Sequence, residues 1–161
     1  MSGIFPASVS EMLRRGIAAS ERGEYAAALP LLEAVYKIAP HEKLPLGLSS
    51  YGLCLAQVQK QQKIGLQLCQ KAIELQSNEG MHWANLVRAY IVGKNRRKAV
   101  ETLHSGLEKL GDNPALLRVR REIGFRRAPS LSFLPRQHPL NRFFSRTAGR
   151  LQNLIRPRQR V

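Results

Sequence analysis

The stretch Met81 to Lys109, MHWANLVRAYIVGKNRRKAVETLHSGLEK, constrains the fold more than any other part of the chain. Trp83, Leu86 and Tyr90 stand at i, i+3 and i+7, which puts three large side chains on one face of a helix. Val92-Gly93-Lys94-Asn95 then reads as a turn. A second helix follows, with Ala99 and Leu103 facing back, and the small Ala99 lets the two backbones approach closely. Such a pair of short helices cannot bury its apolar stripes alone, so the same unit has to recur along the chain.

It does recur. Met12, Gly16, Ala19, Ala28, Leu32, Val35 and Pro40 mark a first unit, with Ser8 or Ser10 as the expected helix cap and Glu11 in the opening turn. Its second helix is expected from about Tyr25 to Ile38, running through Pro30. A second unit runs from about Pro45 to Ser77, where Gly52 repeats Gly16, Leu55 stands in the place of Tyr90, and Gly65, Cys69 and Ala72 form the contact stripe. Ser49 takes the tryptophan-like place only approximately, and one extra residue in the Gln57–Lys63 turn is needed for register. Asp112-Asn113-Pro114 opens a further helix, Ala115 to about Ile123.

This pattern resembles the tetratricopeptide (TPR) repeat, a helix-turn-helix of roughly 34 residues. The resemblance implies an all-α fold: a three-repeat TPR helical array, or α-solenoid, over residues 8–124. Repeats fall at about 9–42, 45–78 and 80–113, with a capping helix at 114–124. A Pro-rich linker at 125–139 and a basic amphipathic tail at 140–161 complete the expected layout. The segment from Arg126-Arg127 through Phe133-Leu134 to Asn141-Arg142 is similar to tails of some bacterial TPR proteins. Three-repeat bacterial secretion chaperones are of similar size.

Charge divides the chain. The formal net charge is +15, yet residues 118–161 hold twelve Arg, no Lys and a single acid, Glu122, and so carry +11. The remainder carries +4, as an ordinary globular segment does. The N-terminus lacks the basic region and apolar core of a signal peptide, and no run approaches the ~18 apolar residues of a membrane span. Cys54 and Cys69 form neither a disulfide framework nor a ligand spacing and read as small apolar residues. A cytoplasmic setting is expected, with association at the inner face of the membrane as an extension of it.

Catalytic chemistry has little to stand on. His41, His82, His104 and His138 are scattered without a ligand spacing and read as solvated or partly packed; no phosphate-binding glycine loop or Ser/His/Asp grouping occurs. No enzyme activity, cofactor or metal is expected. The resemblance points instead to a groove lined by the first helix of each repeat, at its second, fifth, ninth and twelfth places. Carried onto this chain, the partner-binding set is Leu13 and Ile17, then Leu46, Ser49 and Leu53, then Met81, Ala84, Arg88 and Ile91. With one charge among them, these residues suit an apolar or amphipathic peptide and not a carboxylate clamp; the alternative is that some of the leucines are core between helices. The implied function is a protein–protein interaction adaptor or chaperone-like scaffold.

The tail has its own logic. Leu140, Phe143, Phe144, Leu151 and Leu154 share one helical face beside Arg142, Arg146 and Arg150. With Arg126, Arg127, Arg136, Arg156 and Arg158, these arginines suit bidentate anionic partners. Nucleic acid, an anionic membrane surface and an acidic protein all meet that demand. A fourth reading keeps the tail at home: the linker spans up to ~45 Å extended, enough for the tail helix to reach the groove of its own chain or of a swapped dimer.

Overall fold

The computed structural model describes residues 6–40 and 43–124. They form seven helices: α1 (Ala7–Glu21), α2 (Tyr25–Ile38), α3 (Pro45–Val58), α4 (Gln62–Leu75), α5 (Gly80–Val92), α6 (Arg96–Leu110) and α7 (Pro114–Glu122). No strand occurs among the described residues. The linker expected at 125–139 and the tail segment expected at 140–161 lie outside them.

Two layers result from the packing. The first helices of the three repeats and the cap touch in succession, α1 on α3, α3 on α5 and α5 on α7. The second helices, α2, α4 and α6, each pack on their own partner and on the next first helix, but make no comparable contact with one another. The first-helix layer is therefore the continuous one.

The local starts and stops follow residue chemistry. Asn95 and Asn113 cap α6 and α7, accepting from the backbone N–H groups of Lys98 and Ala115 at 3.1 and 3.0 Å. Pro45 and Pro114 occupy first-turn positions, where a missing donor is harmless. The start of α1 differs from expectation. The helix opens at Ala7 after Pro6, with no side-chain cap, so Ser8 and Ser10 lie inside it. The earlier start buries Val9 against Val35 and Ala39, which outweighs a serine cap. Glu11, now past the first turn, instead binds Arg14 through both carboxylate oxygens at 2.9 and 2.7 Å.

α3 lies at the centre. Residues Gly47 to Ala56 are buried without interruption, because α1, α2, α4 and α5 each cover part of it. Its contact with α4 is the closest in the array. A Cβ on Gly52 would lie 2.6 Å from the Gly65 carbonyl oxygen, and one on Gly65 would strike the Gly52 carbonyl oxygen. Glycine at both places is a steric requirement.

The turns within the three repeats share one geometry. Two residues before each second helix, the backbone turns left-handed, at Gly23 (φ 83), Lys60 (φ 57) and Lys94 (φ 57). An L-residue there costs roughly 1 kcal/mol relative to glycine. In the first and third repeats a backbone bond closes the turn over five residues, Glu24 N–H to Ala19 O and Asn95 N–H to Tyr90 O. In the second it spans six, Gln61 N–H to Leu55 O, which locates the extra residue expected in that repeat. Trp83 is half-buried: it lies over Gly106 of α6, and its indole N–H donates to the Ser77 carbonyl, 2.9 Å away, in the connection before α5.

Gly65→Ala is expected to lower stability by about 2 kcal/mol in urea denaturation, because the backbone clash outweighs the ~1 kcal/mol gain in helix propensity. An unchanged midpoint would mean that α3 and α4 are not in van der Waals contact at these glycines.

Candidate functional site

The structure divides the nine groove positions. Leu13, Ile17, Leu46, Met81, Arg88 and Ile91 keep part of their surface, whereas Ser49, Leu53 and Ala84 are at most 1% exposed. Ser49, Leu53 and Ala84, expected in the partner-binding set, are instead core between helices, the alternative left open for the leucines of the stripe. The first helices pack on one another, so part of the inner stripe is used in helix–helix contact. Ser49 shows this directly. Its hydroxyl meets His82 Nδ1 at 3.0 Å and accepts from Asn85 Nδ2 at 3.2 Å, both on α5. Leu13 lies against Gly47, in the contact between α1 and α3.

Arg88, the one charge of the set, is neutralised within the chain. Its guanidinium donates to both carboxylate oxygens of Glu122 on α7, at 3.0 and 2.9 Å. Arg88 beside it holds the Glu122 carboxyl below the usual carboxylate range, with Arg118 adding to the effect. The two charges also act on Tyr25, whose phenol burial pushes upward and whose hydroxyl hydrogen-bonds to Gln57. A polar node thus joins α2, α3, α5 and α7.

Within the first-helix layer, between α3 and α5, lies a buried polar cluster. Ser49, Ser50, His82 and Asn85 are each at most 1% exposed, and Cys69 donates to the Ser49 carbonyl at 3.3 Å. His82 is therefore neither solvated nor partly packed, as its sequence position suggested. Its Nε2 has no hydrogen-bond partner among the described residues, and burial pushes its pKa down. His104 is exposed, as expected. Burial raises the Cys54 thiol to about 11 and pushes Cys69 up as well, so both remain protonated small residues at neutral pH. Among the described residues no group of His, Cys, Asp and Glu is arranged to hold a metal ion, and no helix is long and apolar enough to cross a membrane.

Sequence reasoning missed the Arg88–Glu122 pair and the His82 cluster. The partners are 34 and 33 residues apart, close to one repeat length, and that spacing was the available signal. The tail positions Arg126, Arg127, Arg136, Arg142, Arg146, Arg150, Arg156 and Arg158 lie outside the described residues.

Two layers of paired helices, an equivalent turn in each repeat and a capping helix define a tetratricopeptide-type array. A solved structure agrees: the Sgt2 TPR domain from Aspergillus fumigatus is similar, with a TM-score of 0.54 and 20% sequence identity, covering 81% of this chain and 92% of that one. No family model and no curated protein matches the chain.

Two outcomes test this geometry. Glu122→Gln should destabilise the fold by about 1 kcal/mol, a value held down by the partial exposure of the carboxylate. The depressed Glu122 pKa means that this stabilisation is complete above the ordinary carboxylate value and disappears as pH falls through the folded one. A melting curve unaltered by the substitution would show that the pair contributes nothing. His82 behaves differently with pH. Its folded pKa lies below the unfolded value of ~6.5, so the unfolded chain binds the extra proton and stability falls as pH drops below ~6.5. His82→Gln should flatten the melting temperature between about pH 7 and 5.5 relative to the parent, and parallel profiles would count against a buried neutral imidazole.

Proposed function

We propose that the array is a non-enzymatic interaction module that holds an apolar or amphipathic peptide of a partner protein against its inner layer, as an adaptor or in a chaperone-like role. One observation carries this reading. The single cation among the groove positions, Arg88, is already paired with Glu122, so the inner layer offers partly exposed Leu13, Ile17, Leu46, Met81 and Ile91 without a net charge of its own. A peptide's apolar face gains from covering such side chains, whereas a terminal carboxylate would have to displace Glu122 to gain a counter-ion. Ser49, Leu53 and Ala84 support the surface from below. The Arg-rich composition beyond residue 124 favours a separate anionic partner, whether nucleic acid, acidic protein or a membrane surface on the cytoplasmic side.

Helical peptides selected from a random library against the full chain provide the test. Affinity should fall at least tenfold for Ile17→Gln with Ile91→Gln, and amidating the peptide C-terminus should leave it unchanged. Peptides held equally by parent and variant would place the site elsewhere, and a strict requirement for the free carboxylate would overturn the apolar reading.

A further inference from the structure

Cations dispersed in sequence meet along one edge of the array. The turn between α3 and α4 carries Lys60 and Lys63, and the turn between α5 and α6 carries Lys94, Arg97 and Lys98. Gln62, between the two lysines, donates its side-chain amide to the Ala89 carbonyl near the end of α5, so the second turn lies beside the third. Arg96 donates to the Ile123 carbonyl at 3.3 Å, which places the third turn beside the end of α7 and Arg121. Each of these six cations, Lys60, Lys63, Lys94, Arg97, Lys98 and Arg121, is exposed.

Local contacts account for part of them: the Lys60 ammonium donates to the Gln57 carbonyl at 2.8 Å, at the end of α3, where a cation suits the helix dipole. Lys60 and Lys94 occupy the left-handed turn position that glycine holds in the first repeat, and lysine is a poor choice for that backbone. Arg97 and Lys98 stand in the first turn of α6, which contains no acid, against the positive end of the helix dipole. The acids nearby do not balance the edge. Glu101 meets Arg97 at 3.8 Å, Glu122 is taken by Arg88, and Glu24 is bound to Arg22 at the first turn. The cations at the start of α6 run against their helix dipole, and lysine replaces glycine at the same turn place in two successive repeats, which together point to an external demand.

We propose that this edge binds the phosphate backbone of nucleic acid without reading its sequence. A row of cations along stacked turns matches a linear polyanion. Among the described residues, exposed large apolar side chains at this edge are confined to Val58 and Ile64, beside the α3–α4 turn; the more basic part, at α6 and α7, has none to insert into a bilayer. It also offers no exposed aromatic for base stacking: Tyr90, beneath the Lys98 ammonium, is only 7% exposed. Contact is thus to phosphates alone, and duplexes of any sequence should serve. The edge is separate from the inner layer, so this proposal stands or falls without the peptide reading.

The test uses the full chain and a fluorescent 24-base-pair DNA duplex over a salt series. The edge variant is Lys63→Gln, Lys94→Asn, Arg97→Gln and Arg121→Gln, with Asn chosen because it tolerates the left-handed turn. The control removes four cations elsewhere: Arg15→Gln, Lys43→Gln, Lys71→Gln and Lys109→Gln. Far-ultraviolet circular dichroism confirms that both remain folded. The edge variant should bind at least tenfold more weakly, and its slope of log affinity against log salt should drop by about 3.6, near 0.9 for each of four lost phosphate contacts. The control should shift both far less. Equal losses in the two variants would reduce the effect to net charge and overturn a site at this edge. An unaltered edge variant would assign binding to the rest of the chain. Loss of binding to vesicles of anionic phospholipid, with duplex binding intact, would make the edge a membrane surface and overturn the nucleic-acid proposal.

Discussion

The approach of α3 to α4 through Gly52 and Gly65 is the contact on which the array depends. With no Cβ on either residue, the helices come within backbone contact, and α3 sinks far enough for α1, α2 and α5 to cover its remaining faces. Ten consecutive residues, Gly47 to Ala56, then leave water together. Such burial needs small or apolar side chains throughout, which this stretch supplies except at Ser49 and Ser50. The first and third repeats use looser versions of the same device. Leu32 lies against Gly16, and Trp83 and Leu116 lie against Gly106.

The two serines show how polar groups enter a packed layer without loss. Ser49 shares its hydroxyl with His82 and Asn85, and Ser50 receives a longer contact of 3.5 Å from Asn85. A buried group with a partner is tolerable where the same group alone costs roughly 1–3 kcal/mol. His82 Nε2 is the exception among the described residues, and the low pKa of the ring follows from its burial. The cluster fixes how α5 seats on α3, since a slip of one residue would separate all four groups.

Repeat geometry also sorts charge. Inside the array the one groove cation is matched by the one acid of the last helix, which leaves that layer close to neutral. Along the turn edge the cations outnumber the acids, because each repeat returns its turn to the same side. Local stability explains the first arrangement, as ion pairing lowers the cost of partly burying Arg88. It does not explain the second, where the cations at the start of α6 work against the helix dipole and lysine stands at a left-handed turn place that glycine suits better.

The all-helical class, the repeat count, the extra residue of the second repeat and the helix opened by Asn113-Pro114 are all consequences of local chemistry. Periodicity, turn residues and proline placement act within one or two turns of helix, so they can be read along the chain. The start of α1 could not, because Val9 is held by residues of α2. Nor could the fate of Ser49, Leu53 and Ala84, since the same inner stripe serves partner contact in one place and helix contact in another. Which use prevails depends on how closely neighbouring helices pack, and the Gly52–Gly65 contact that seats α3 is made only once both helices are in place. The sequence alone thus determined the kind of helices and their order. Only the tertiary structure decided that Arg88 meets Glu122, that His82 is buried, and that lysines from successive turns share one edge, because each of these joins residues about one repeat apart through stacking that no local rule contains.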